Sequence, residues 1–155
     1  HCLHTGKHRR SHRQLLNAST MYSVSYNYRI QYRHLPGNPG MYPVLDVQLS
    51  RGNLATNVVA IVDTGAQRSL ISGEHALAMG IDITSGSQQR LYTLSGSILT
   101  WKHPVRVQVF ELLIATELCF SEFRLPRNIL GRDMQEMLEL GFSEHYSTLF
   151  VSPTP

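Results

Sequence analysis

Apolar and polar positions alternate along several separate stretches of the chain. From Met21 to Tyr32, residues Tyr22, Val24, Tyr26, Tyr28, Ile30 and Tyr32 share one side. That period of two predicts a strand with one covered face. Tyr42–Leu49 alternates again, and Leu45, Val47 and Leu49 form its expected core face. Between these stretches, Leu35-Pro36-Gly37-Asn38-Pro39-Gly40 reads as a turn or linker. Arg51-Gly52-Asn53 signals a hairpin. Asn57–Val62 is a dense Val/Ile run that suits a buried strand, and a loop over Asp63–Ala66 follows.

Beyond Ser69-Leu70-Ile71, Ser72 is placed as an N-cap of a short helix through His75, Ala76, Ala78 and Met79, closed by Gly80. Leu91–Leu94 and Ile98–Trp101 flank Ser95-Gly96-Ser97, the pattern of a hairpin with a flexible tip. One long strand is expected over Val105–Ile114, and a short one over Arg127–Leu130, ending at Gly131. Asp133-Met134-Gln135-Glu136 has capping-box spacing, which predicts a helix of about two turns to Leu140 before Gly141. Leu149-Phe150-Val151 is a last short strand. Many short strands with one or two small helices predict an all-β barrel or sandwich. Ile61-Val62-Asp63-Thr64-Gly65 and Asn128-Ile129-Leu130-Gly131 echo each other as apolar strands entering glycine turns. The echo hints at internal pseudo-symmetry.

Composition sharpens this picture in two places. The 155 residues are 42% hydrophobic and 16% charged, which is globular and enough for one sizeable core. The net charge of +3 comes from the beginning of the chain, where residues 1–20 hold Lys7, Arg9, Arg10 and Arg13 and no acid. The remainder has ten basic and eleven acidic side chains, so it offers no basic face for nucleic acid. The expected organisation is a basic leader or tag over 1–20, an N-terminal strand and linker over 21–40, and the main domain over 41–155. His1, His4, His8 and His12 lie in the leader without a carboxylate or second thiol nearby, so no metal site and no cofactor are expected. No apolar run reaches the roughly 20 residues of a membrane helix. No secretory h-region is visible. Cys119 is the one thiol outside the leader and is expected in the core. A cytoplasmic location is the resulting expectation.

The chemistry concentrates at Asp63. A carboxylate just past a buried strand can open into a cleft while protein of low dielectric backs it. Thr64 can hydrogen-bond, and Gly65 permits close backbone approach. Hydrolysis of a peptide without a metal or covalent intermediate needs a carboxylate to deprotonate water and a protonated carboxyl to donate to the carbonyl oxygen. Two carboxyls about 3 Å apart do this because they share one proton. Asp46 and Asp82 lack the flanking pattern, and Asp133 reads as a helix cap. The second carboxylate is therefore expected from another copy of Asp63 across a two-fold axis. An alternative reading of Asp63 is an Asx-type turn between strands. A phospho-aspartate would need Mg²⁺-binding acids beside it, and the sequence supplies none.

Val62-Asp63-Thr64-Gly65-Ala66, with Ile129-Leu130-Gly131-Arg132-Asp133 downstream, resembles the retroviral-type (retropepsin-like) aspartic peptidases over roughly residues 42–151. It is also similar to the protease domain of the DNA-damage-inducible ubiquitin-shuttle proteins and to stand-alone bacterial members. The resemblance implies a closed-barrel subunit of acid-protease fold that acts as a homodimer on polypeptide substrates. It implies Asp63 as the catalytic residue, supported by Thr64, Gly65, Ala66, Gly131 and Arg132. It further implies a substrate-binding flap formed by Tyr92, Leu94, Ser95, Gly96 and Ser97. The retroviral enzymes usually carry an acid after the alanine, paired with the arginine; here that position is Gln67. A catalytically silent dimerisation or peptide-binding module is the competing reading.

Other residues take plainer expectations. Trp101 packs against the barrel rather than contacting substrate. Tyr92 either touches substrate or pairs across the hairpin with Ile98 or Leu99. His75 and His103 are surface or cap residues. Leu149–Val151 forms part of a dimer sheet, as the resemblance suggests, or an ordinary edge strand.

Overall fold

The structure is a computed structural model, and it describes residues 25–153. The expected leader and the start of the first expected strand, Met21–Val24, lie outside the described residues. Chain order begins with β1 (Tyr28–Gln31) and a small hairpin, β2 (Arg33–Leu35) and β3 (Asn38–Tyr42). Tyr26, Tyr28, Ile30 and Tyr32 turn inward as the alternation predicts, and Tyr32 is buried. The turn expected over Leu35–Gly40 narrows to Pro36-Gly37, with Gly37 at φ +72°. Asn38–Gly40 instead joins β3.

The main sheet follows: β4 (Val44–Arg51), β5 (Leu54–Val62) and β6 (Leu70–Ile71), then helix α1 (Gly73–Ala78) and a 3-10 turn at Ile83–Ser85. β7 (Ser87–Thr93), β8 (Gly96–Val109), β9 (Leu112–Ser121) and β10 (Asn128–Leu130) complete it. Its strand order is β4-β5-β10-β6-β9-β8-β7. β4 also pairs with β8, with Leu49 opposite Val107, so the sheet closes into a barrel and leaves β7 outside the closure. Leu49, Ile71, Val107, Leu118 and Phe120 are fully buried inside it. Leu45, Val47 and Leu49 face the core as expected, and so do Trp101 and Cys119. Helix α2 (Arg132–Gln135), β11 (Leu138–Ser143) and β12 (Thr148–Pro153) end the described chain. β1, β12 and β11 form a second, three-stranded sheet in that order.

Four expectations are corrected. Val105–Ile114 is not one strand, because the chain reverses at Phe110-Glu111 with Val109 opposite Leu112. Phe110 adopts φ +52°, a left-handed conformation that costs a non-glycine residue about 1–2 kcal/mol. Its ring stacks on Tyr28 at 3.7 Å between centroids, and the Tyr28 hydroxyl donates to Glu111. Those tertiary contacts hold a turn that has no local turn residue. The two-turn helix to Leu140 is also absent: α2 has four residues, and 138–143 pair with β12. Gly141 is a mid-strand close approach, since a Cβ there would lie 2.8 Å from the Tyr26 hydroxyl. Leu149–Val151 is no edge strand, for β12 is central in its sheet. Finally, His103 is buried, with Nε2 hydrogen-bonded to the Ile83 carbonyl at 2.7 Å.

Ser72 stands at the N-cap position of α1 but does not cap it with its side chain. Its hydroxyl accepts the Leu125 N–H instead, and its own N–H donates to Asn128 Oδ1 at 2.8 Å. Asn128 Nδ2 reaches the Val59 carbonyl and, at 3.4 Å, His75 Nε2, while His75 Nδ1 meets Thr56 Oγ1 at 3.2 Å. The amide donor on Nε2 assigns neutral His75 with its proton on Nδ1. Burial pushes the His75 pKa below its ordinary 6.5, against the opposing pull of Glu74. A histidine depressed in the fold contributes stability above its unfolded pKa and loses it as pH falls through the folded one. Denaturation midpoints measured between about pH 7 and pH 5 should therefore fall more steeply for the wild type than for His75→Gln. Parallel slopes for the two proteins would contradict the assignment.

Candidate active site

β5 and β10 lie side by side and parallel, with Ile61 opposite Ile129 and Val62 opposite Leu130. The two segments that echo each other in sequence are thus neighbours, and both turn at the same end of the barrel. Asp63 leaves β5 half-buried, and its N–H still donates to the Leu130 carbonyl at 3.1 Å. Asp63 Oδ1 accepts the Gly65 N–H at 2.9 Å, and the Asp63 carbonyl accepts the Ala66 N–H at 3.2 Å. The carboxylate therefore sits in a tight Asx-type turn. The turn occupies only one carboxylate oxygen, since Oδ2 has no hydrogen-bond partner among the described residues.

The downstream turn clasps this loop. Arg132 N–H donates to the Ala66 carbonyl at 2.9 Å and Asp133 N–H to the Gln67 carbonyl at 3.3 Å. Gly131 packs so closely that a Cβ would lie 2.5 Å from Arg68 C and 2.9 Å from the Ala66 carbonyl oxygen. Three residues that sequence reasoning did not place in the site hold it together. Gln135 Nε2 donates to the carbonyls of Asp63 and Leu130, each at 2.9 Å. Buried Ser69 donates its hydroxyl to Asp133 Oδ1 at 2.7 Å and accepts the Gly131 N–H at 2.9 Å. The Asp133 carboxylate also takes the Ser69 and Met134 N–H groups. Asp133 is thus a cross-loop acceptor in the first turn of α2, whose N-cap position is held by Gly131.

Six of the sequence-predicted residues line two cavities that share Ile129. Asp63 and Thr64 line one of about 550 Å³, with Tyr42, Pro43 and Phe142. Gly65, Ala66, Arg132 and Tyr92 line a cleft of about 600 Å³ between the Asp63 loop and the β7–β8 hairpin. Leu94, Ser95, Gly96 and Ser97 line neither. The hairpin turns at Leu94-Ser95, and Gly96 has φ +145°. Thr93 Oγ1 donates to the Gly96 carbonyl, and Arg90 Nη1 donates to Ser97 Oγ at 3.0 Å. Tyr92 lies opposite Ser97, not Ile98 or Leu99, and is 82% exposed; Leu94 is fully exposed at the tip. The Arg132 side chain makes no hydrogen bond or ion pair among the described residues, in keeping with Gln67 at the position of the missing acid. Among the described residues, no three His, Cys, Asp or Glu side chains converge as metal ligands. No helix there is long and apolar enough to cross a membrane.

A family model described as aspartyl protease matches residues 47–134, more than half of the chain. The chain belongs to the aspartyl protease family. The matched span contains both clasped turns and the hairpin between them. The family member's fold is similar to that of a solved EIAV protease complexed with the inhibitor HBY-793. The TM-score is 0.51 at 22% identity, covering 73% of this chain and 92% of that one. The mostly β, closed-barrel subunit is the retropepsin-like acid-protease fold expected from the sequence. No curated protein matches the chain.

Gly131→Ala tests the clasp between the loops. Because the atoms that a methyl group would meet are backbone, the loops must shift, and overpacking of this kind costs about 1–3 kcal/mol. Equilibrium denaturation should show a loss of that size; an unchanged midpoint would mean the loops are not locked as described.

Proposed function

We propose that this aspartyl protease family member is an endopeptidase that works as a homodimer, each subunit supplying one Asp63. The observation that carries the reading is the Asp63 carboxylate itself. Backbone bonds fix it at the β5 end and it opens into a cavity, yet no second carboxylate pairs with it among the described residues. Glu144 lines the same cavity, but it accepts the Tyr32 hydroxyl at 2.8 Å. Burial, with Glu144 beside it, pushes the Tyr32 pKa up to about 12, so that hydroxyl keeps its proton and stays a donor.

A two-fold partner completes the chemistry. One Asp63 carboxylate takes a proton from water as the water oxygen bonds to the peptide carbonyl carbon. The partner's protonated Asp63 donates its proton to the carbonyl oxygen, giving a neutral gem-diol. On collapse, the carboxyl that took the water proton gives it to the amide nitrogen. The C–N bond then breaks, a diol hydroxyl returns its proton to the other carboxylate, and acid and amine products leave. Thr64, next to Asp63 and exposed, is available to meet its counterpart beneath the pair. Gly65 and Ala66 on one side and Tyr92 on the other frame a cleft for an extended peptide held as an added strand. Exposed Tyr92 and Leu94 offer the hairpin apolar surface with which to close over it.

The competing reading, a silent peptide-binding module, draws on Gln67 and the unpaired Arg132 side chain. Peptide cleavage across an acidic-to-neutral pH series separates the two. Asp63→Asn should lower turnover by about 10²–10⁴-fold, the usual weight of an acid–base group, while leaving sedimentation unchanged. Undiminished cleavage by that variant would overturn the mechanism. Below the dimer dissociation constant, the wild-type rate should rise with the square of chain concentration, as progress curves over a dilution series would show. A strictly linear dependence through the monomer range would exclude the shared site.

A further inference from the structure

The cleft between the Asp63 loop and the hairpin carries charge of one sign. Arg68, Arg90 and Arg132 line it, with Gln67 and Gln89, and none of its lining residues is acidic. Its volume of about 600 Å³ lies within the roughly 300–1,000 Å³ of clefts that bury small ligands. Arg90 is fixed across the hairpin by its bond to Ser97 Oγ. The exposed side chains of Arg68 and Arg132 have no hydrogen-bond or ion-pair partner among the described residues.

No acid pairs with Arg68 or Arg132 among the described residues. Asp133 follows Arg132 directly, but its carboxylate is turned to Ser69 and Met134 and does not line the cleft. Asp63 opens into the neighbouring cavity. Position 67, on the same loop as Arg68, carries an uncharged amide. Arg68 and Arg132, from the Asp63 loop and the start of α2, therefore line one concave space without partners, and Arg90 on β7 lines it with its guanidinium tied to Ser97. Guanidinium matches carboxylate in a bidentate, charge-assisted geometry, and a carboxylate entering here displaces no internal ion pair.

We propose that this cleft is a subsite for acidic side chains, so that the favoured substrates carry Glu or Asp beside the scissile bond. The inference rests on the peptidase reading and names its substrate class. β7, the end strand of the sheet, lines the cleft and presents a free edge for an extended peptide. Alternate side chains of such a peptide point the same way, so one or two acids spaced by two residues reach the arginines together. Because the arginines are exposed, the preference weakens with salt.

The test measures binding and cleavage separately. Asp63→Asn protein is titrated into labelled extended peptides that differ only in carrying Glu, Gln or Lys beside the central dipeptide, with anisotropy as readout. The Glu peptide should bind about tenfold more tightly than the Gln peptide at low salt. That advantage should shrink toward about 0.5 M salt, where the Debye length falls to a few ångströms. Adding Arg68→Glu and Arg132→Glu together should turn the preference toward Lys, and the single Arg68→Gln variant should reduce it. Equal affinity for Glu and Gln peptides, or binding of neither, overturns the subsite. Cleavage of the same peptides by the unsubstituted protein is read independently. Hydrolysis without a Glu preference in binding leaves the peptidase and removes the subsite. A Glu preference without any hydrolysis keeps the subsite and removes the peptidase.

Discussion

The parallel pairing of β5 with β10 is the constraint on which the rest of the site depends. The two strands lie almost 70 residues apart in the chain, yet Ile61 and Val62 sit opposite Ile129 and Leu130. Strands placed in parallel deliver their next residues to the same end, so the Asp63 turn and the Gly131 turn must share one space. Backbone groups leaving a sheet in a half-buried region need partners. Here each turn supplies them to the other: Asp63 N–H to Leu130, Arg132 N–H to Ala66, and Gln135 across both strand ends. The carboxylate is thus positioned by main chain that cannot move without breaking the barrel.

The same arrangement explains the contrast between the two walls of the cleft. The Asp63 wall is bound by buried Ser69, by Asp133 and by a glycine that leaves no room for a methyl group. The opposite wall is a hairpin outside the barrel closure, tied within itself and ending in exposed Tyr92 and Leu94. Local stability follows buried contacts, and segments that have to move are drawn from the less buried ones. The loop that fixes Asp63 thus faces, across the cleft, a hairpin with few buried contacts.

The parts legible in the sequence were those where one physical requirement dominates a local pattern. Leu45, Val47 and Leu49 face the core because a period of two admits a single buried face. The strand-to-Asp-Thr-Gly transition was visible because it needs a buried run, a carboxylate and a glycine in immediate succession. The turn at Phe110 was invisible because its strain is offset by Tyr28, more than 80 residues away, which stacks on Phe110 and donates to Glu111. Ser69, Asp133 and Gln135 were missed as site residues for the same reason: their partners lie at least 60 residues distant, Leu130 and Met134 excepted. Asp133 shows the difficulty most clearly. Its spacing to Glu136 satisfies a helix-start rule, but Gly131 takes the N-cap position, the Asp133 carboxylate turns to distant Ser69, and the chain goes on to β11 after one turn.

Gln67 joins structure to recognition. An acid there would pair with Arg132 and brace the loop by charge. In its absence the brace is made of main-chain bonds, Arg132 N–H to Ala66 and Asp133 N–H to Gln67, with Ser69 and Gln135 behind them. An exposed ion pair contributes about 0–1 kcal/mol, less than several buried hydrogen bonds to a well-fixed loop. Losing it costs the fold little, because a solvated guanidinium needs no partner. It changes the cleft far more, turning a neutralised pair into an available cation beside Arg68. The backbone of residues 63–69 and 131–135 holds Asp63 in place, and the side chains of Gln67, Arg68 and Arg132 take no part in that support.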